Sequence, residues 1–135
     1  MALILKVLAG AAAVVFALIG LGFWVAPEFA AAQLGMSLLS GAGLSSQIAD
    51  FASFFFVAGA CMGLGLASGN RLWFYPPMML LSVAIVGRLI AWAVHGAALT
   101  LDMIAVEVVV VGVLALVSRA APGGEAERVD GALRR

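Results

Sequence analysis

Charge is scarce in this chain: only 10% of its 135 residues are Asp, Glu, Lys or Arg, against roughly a quarter in a soluble domain. Cysteine and histidine occur once each. Each shortage excludes something. A single cysteine, Cys61, leaves no internal disulfide, no metal-ligand spacing and no redox pair. A single histidine, His95, leaves no paired-histidine metal motif, and neither a nucleophile elbow nor a phosphate-binding loop is present. No cofactor and no metal is therefore expected. Basic and acidic residues balance at seven each, so overall charge points to no nucleic acid partner. What the chain has instead is apolar surface: 65% of its residues are hydrophobic and mean hydropathy is +1.20. A water-facing exterior cannot be built from that mixture, so membrane lipid is the expected partner over much of the outside.

Four apolar stretches stand out: Val7–Val25, about Ile48–Ala67, Leu72–Val94 and about Leu99–Ser118. Each approaches the ~20 residues that cross ~30 Å of hydrocarbon at 1.5 Å per residue. Strands are rarely so long, so even the valine run Val108–Val111 reads as helix. Hydrocarbon forbids unpaired backbone groups, and the strict alternation of a barrel strand is missing. The expected fold is all-α, a four-transmembrane-helix bundle over residues 1–118, followed by a polar cytoplasmic tail over residues 119–135.

Three segments qualify this frame. Pro27–Ala49, with four serines and three glycines, is a longer connection in which Phe29–Met36 is expected to form a short interfacial helix. Ser68-Gly69-Asn70-Arg71 is a turn between the second and third spans. Lys6, the first apolar run and Ala30-Ala31-Ala32 also fit a cleavable signal peptide, but the run exceeds the usual 7–15 residues of such a segment. Its length favours retention as a first helix.

On a four-span arrangement the charges separate. Lys6, Arg71, Arg119 and the tail arginines fall at one end; Glu28, Asp50 and Asp102 fall at the other. Basic flanks are retained in the cytoplasm, which predicts both termini cytoplasmic in a multi-pass protein, expected in a bacterial inner membrane.

Arg88 breaks this pattern. It lies ~24 Å along the third span from Leu72, in the outer half of a bilayer, while Glu107 lies ~12 Å down the fourth from Leu99. A charge near the bilayer centre costs ~2.5–3.5 kcal/mol on insertion scales, and such residues usually turn inward and pair. An Arg88–Glu107 ion pair is expected. It either orients two helices or belongs to a ligand or proton site.

More polar groups gather at the same end. Arg88, Trp92 and His95 share one face of the third span. Asp50 opens the second and Asp102 lies in the first turn of the fourth. Each has a plain structural role available: the aspartates suit helix N-termini, His95 before Gly96 suits a helix C-terminus, and Trp92 suits an interfacial anchor. Their convergence around Arg88 makes Asp50, Arg88, Trp92, His95, Asp102 and Glu107 the candidate ligand-binding residues. Small residues mark expected helix contacts, Gly59-x-x-x-Gly63 on the second span and Ala9-x-x-x-Ala13-x-x-x-Ala17 on the first. Met78, Met79 and Phe54-Phe55-Phe56 suit packing or lipid contact better than a cofactor site, and Pro76-Pro77 is tolerated where a helix begins.

Asp50-Phe51-Ala52-Ser53-Phe54-Phe55-Phe56, Gly63-Leu64-Gly65, Gly69-Asn70-Arg71, Gly87-Arg88, His95-Gly96 and Glu107 together resemble a bacterial membrane family catalogued as domain of unknown function 4345. The resemblance covers roughly Pro27 to Ser118 and implies four spans, with His95 standing where Asp is more usual. It implies architecture and no activity.

Three functions remain open. One is a structural or accessory subunit of a membrane complex, with Arg88–Glu107 as a purely structural pair. Another is a binding protein or enzyme for a lipid or small apolar molecule, in which carboxylates beside a cation could perform acid–base chemistry. The third is an ion or proton transporter, for which only Glu107 lies deep and no continuous relay is visible. The charge asymmetry gives a direct test of orientation. A reporter active only outside the cytoplasm is expected to work when inserted near Ser40 and to be silent at Arg135; the reverse pattern overturns the orientation.

Overall fold

A computed structural model describes residues 2–120; the expected tail lies outside them apart from Arg119 and Ala120. The chain forms α1 (Ala2–Val25), a short α2 (Pro27–Gln33), α3 (Gly41–Ser68), a 3₁₀ turn (Arg71–Phe74), α4 (Tyr75–His95) and α5 (Leu101–Ala120). α1, α3, the 3₁₀ turn continuing into α4, and α5 are the four long apolar elements, each long enough to cross a membrane. They pack as an all-α bundle. Val108–Val111 lies inside α5, where the unbroken hydrogen-bond ladder overrides the β preference of valine.

Helix ends follow local chemistry. The Asn70 side chain accepts a hydrogen bond from the Leu72 amide (3.0 Å) and starts the 3₁₀ turn, and Pro76 and Pro77 then occupy the opening of α4, where amides lack intrahelical partners. α4 stops at Gly96, whose φ of 68° is a left-handed conformation that side chains disfavour. The Ala97 amide turns back to the Ala91 carbonyl at 3.1 Å and closes the helix end.

One boundary differs from expectation by two turns. α3 begins at Gly41 rather than near Ile48. The Gly- and Ser-rich stretch reads as loop, yet the buried side chain of Gln47 holds it in the helix. Its carbonyl accepts from the Leu39 amide (3.0 Å) and its amide donates to the Ser37 carbonyl (3.1 Å). Asp50 therefore lies in the interior of α3 and does not open it.

The most extensive pairing is α1 against α3, antiparallel. Three glycines set how closely elements approach. A Cβ at Gly20 would lie 2.6 Å from the Phe56 amide nitrogen, one at Gly59 2.6 Å from both the Ala13 carbonyl oxygen and the Ala17 nitrogen, and one at Gly65 2.7 Å from the Phe74 ring. Gly63, expected to share this role, has open space where its Cβ would be. The two small-residue stripes thus meet, but through Gly59 alone.

The core has two parts. At the end marked by Lys6, Arg71 and Arg119, the buried side chains of Ala9, Ala13, Phe16, Ala58, Met62, Phe74, Leu81, Leu114 and Val117 join all four long helices. At the other end Phe23, Ala30, Ala31 and Ala52 are buried where α2 folds back on α1 and α3, with the rings of Phe23 and Phe51 stacked 5.4 Å apart. Apolar residues also cover the outside, including Val83 and Val94, both 70% exposed. An apolar patch of this extent marks a surface made for membrane or protein contact.

The glycine geometry generates a contrast. Gly59→Ala is expected to lower the melting temperature in detergent, since overpacking against backbone costs about 1–3 kcal/mol. Gly63→Ala is expected to leave it unchanged or raise it, through the better helix propensity of alanine. Equal effects at both positions would contradict the close α1–α3 approach.

Candidate functional site

α4 and α5 are neighbours in sequence and antiparallel in space, so residues equally far from their shared connection meet. Arg88 lies ~10 Å before the end of α4 and Glu107 ~9 Å after the start of α5. The guanidinium Nε of Arg88 donates to Glu107 Oε1 at 3.0 Å. Its Nη1 donates to Thr100 Oγ1 at 3.2 Å. Thr100 immediately precedes α5, and its carbonyl also accepts from the Ile104 amide (3.0 Å), so one residue both starts α5 and holds the arginine. This is the only salt bridge among the described residues.

The pair is unequally covered. The Arg88 side chain keeps 32% of its surface, whereas Glu107 as a residue is 8% exposed. Glu107 Oε2 is fully buried and, among the described residues, is the one buried side-chain polar atom without a hydrogen-bond partner. Leaving a buried acceptor unmatched costs about 1–3 kcal/mol, more when it is charged.

Both residues line a cavity of about 680 Å³ between the helices. Its floor is apolar, formed by Phe16 of α1 and Leu81 of α4, which also belong to the larger core. Val15 and Ile19 complete the α1 wall, and Phe51, Phe54 and Phe55 form the α3 wall. Ala84 and Arg88 form the α4 wall; Met103, Val106 and Glu107 form that of α5. Toward the acidic end the lining turns polar with Gln33, Asp50 and Asp102. A smaller, more open hollow under the Gly35–Leu39 connection shares Met36, Asp50 and Phe51 with it.

The six candidate residues divide into two groups. Asp50, Arg88, Asp102 and Glu107 line the cavity. Asp50 and Asp102 are exposed and sit at its acidic end. Trp92 and His95 are not among its lining residues; Trp92 is half exposed and His95 exposed. They share a helix face with Arg88, but α4 beyond Arg88 has no buried residue, so that face has no partner helix to close against. His95 is the last residue of α4, beside Gly96, which is the helix-terminal role its sequence context offers. Asp102 lies in the first turn of α5 and complements the amides there. That explanation fails for Asp50, nine residues inside α3.

Thr100 and Gln33 belong to the site and were not singled out from sequence. Thr100 carried a usable signal, a hydroxyl just before the start of an apolar helix and close to the end of the arginine's helix. Gln33 carried none, since its approach depends on α2 folding back. Among the described residues no group of three His, Cys, Asp or Glu side chains could hold a metal ion.

The fold and site define a class: a bundle of four membrane-length apolar helices with one buried ion pair beside an open-mouthed cavity. Compared with known proteins, the chain matches no family model, and neither a curated protein nor a solved structure matches it. The resemblance to domain of unknown function 4345 gains no support from these comparisons.

A buried pair is most exposed to damage when one partner is removed. Arg88→Leu is expected to cut folded yield and thermal stability in detergent, by up to ~3 kcal/mol, because Glu107 is left uncompensated. Arg88→Leu with Glu107→Leu is expected to recover much of the loss. A double variant as poor as the two singles added would show that the side chains act independently.

Proposed function

We propose that this chain is a multi-pass membrane protein that binds a lipid or small apolar molecule in the cavity between α1, α3, α4 and α5. The observation that carries the reading is the cavity itself: about 680 Å³, with apolar walls and a few polar groups converging at one end. Small-molecule sites generally span ~300–1,000 Å³ and have this composition. A lipid tail or apolar body suits the phenylalanine and aliphatic walls, and a polar group suits the band of Arg88, Glu107, Asp50 and Asp102.

Orientation is part of the proposal. Lys6, Arg71 and Arg119 mark the cytoplasmic side under the positive-inside rule, which puts the acidic end of the cavity in the outer half of the bilayer.

The ion pair supports a second reading, an accessory subunit in which Arg88–Glu107 only fixes α4 against α5. The two readings part at Ala84, which lines the cavity and belongs to neither the pair nor the core. Native mass spectrometry of the purified protein is expected to find an amphiphile bound at unit stoichiometry. Ala84→Trp, which narrows the cavity, is expected to reduce its occupancy by about tenfold or more, with the melting temperature maintained. An adduct indifferent to Ala84→Trp, or none at all, would favour the accessory role.

A further inference from the structure

We infer that the molecule held in this cavity presents a neutral carbonyl oxygen, of an ester or a ketone on an apolar body, to the free guanidinium N–H groups of Arg88. This rests on the reading that the cavity binds a lipid or small apolar molecule, and it adds the chemical class of the polar end.

Three observations converge. The first is spare donor capacity. A guanidinium carries five N–H donors and no acceptor. Glu107 takes one at 3.0 Å and Thr100 a second at 3.2 Å; the other three meet no acceptor among the described residues. Nη2 is not sealed in, because Glu107 Oε2 is the one buried side-chain polar atom there without a partner. Arg88 keeps 32% of its side-chain surface and forms the α4 wall of the cavity with Ala84. Donors in apolar surroundings need an acceptor oxygen. The second is depth. Arg88 stands about two turns, ~10 Å, beyond Leu81 at the cavity floor, so an apolar body resting on that floor brings its polar end to the guanidinium. The third is charge. Arg88 is already paired with Glu107, and Asp50 and Asp102, which also line the cavity, have no salt-bridge partner among the described residues. An anion at Arg88 is repelled by these carboxylates. A cation finds no free acceptor at that depth, since Glu107 Oε1 accepts from Arg88 and Oε2 is sealed. A neutral carbonyl gains a charge-assisted hydrogen bond and adds no charge to bury. Unlike a hydroxyl, it has no hydrogen of its own to place.

A hydrogen bond to a charged group corresponds to roughly ten- to hundredfold in affinity. The test uses the full chain in nanodiscs of diether phosphatidylcholine, a lipid without carbonyl groups, with empty nanodiscs as blank. Saturable binding of labelled probes with closely matched tails is compared at equal concentration in the lipid phase: methyl undecyl ketone, n-tridecane, n-dodecanesulfonate and dodecyltrimethylammonium. The ketone is expected to bind about tenfold or more tightly than the alkane, and more tightly than either ion. Arg88→Leu with Glu107→Leu removes the donors without stranding a charge, and is expected to bring the ketone down to the affinity of the alkane. On the unaltered chain, the infrared carbonyl stretch of isotope-labelled ketone is expected to fall below its value in empty nanodiscs. Should the double variant fail to fold, this spectrum decides. Diester phosphatidylcholine nanodiscs separate two sources of the carbonyl. Ketone binding weakened several-fold there identifies the ester of a membrane lipid as the occupant; unchanged binding identifies a free small molecule.

An alkane bound as tightly as the ketone, or either ion bound more tightly, overturns the inference. So does a ketone preference that survives the double variant, or a carbonyl stretch that the protein leaves unmoved. If all the probes bind the unaltered chain alike and Ala84→Trp abolishes their binding, the cavity reading stands and the carbonyl assignment falls. If no probe binds saturably, both fall.

Discussion

The closeness of α1 to α3 is the constraint on which the rest of the bundle depends. At Gly20 and Gly59 a single added carbon would meet the facing backbone, so the two helices run in contact with only hydrogen between their main chains. Helices in lipid gain little from hiding apolar side chains and associate through such contact. The pair forms a slab, and α4 and α5 pack against it. They do so at the basic end, where Phe74, Leu81, Leu114 and Val117 complete the core. Beyond Leu81, α4 has no buried residue, and the space between slab and hairpin becomes the cavity.

The ion pair acts where packing stops. α4 and α5 above the core have few side chains to interlock, and Arg88 replaces them with directed bonds to Glu107 and Thr100. Burying the pair has a cost that hydrophobic residues would avoid. What it secures here is a fixed place for the glutamate beside the cavity. The dense core, the open acidic end and the polar group at their boundary are thus consequences of one another.

Much of this arrangement was legible in the residues. The four spans followed from length and composition, because lipid leaves a chain few alternatives. The Arg88–Glu107 contact followed from rise per residue and from the cost of a lone charge in hydrocarbon. Two features were not legible. The start of α3 depended on Gln47 reaching back across the connection, a tertiary contact that overrides the loop-like composition of Gly41–Ser46. The exclusion of Trp92 and His95 depended on where α4 parts from its neighbours. Helical spacing places residues on a face; it does not say how far along that face a partner extends.

The length of α3 gives the cavity an uneven mouth. Its 28 residues extend for ~42 Å, about 12 Å more than a bilayer's hydrocarbon thickness. α4 and α5 end level with the connection between them. Measured from Ser68, Asp50 stands ~27 Å up α3, and the Gly41–Ala49 turns continue beyond it. One wall therefore rises above the others like the back of a chair. Asp50 on that upright stands at the acidic end of the cavity, and α4 forms its low edge.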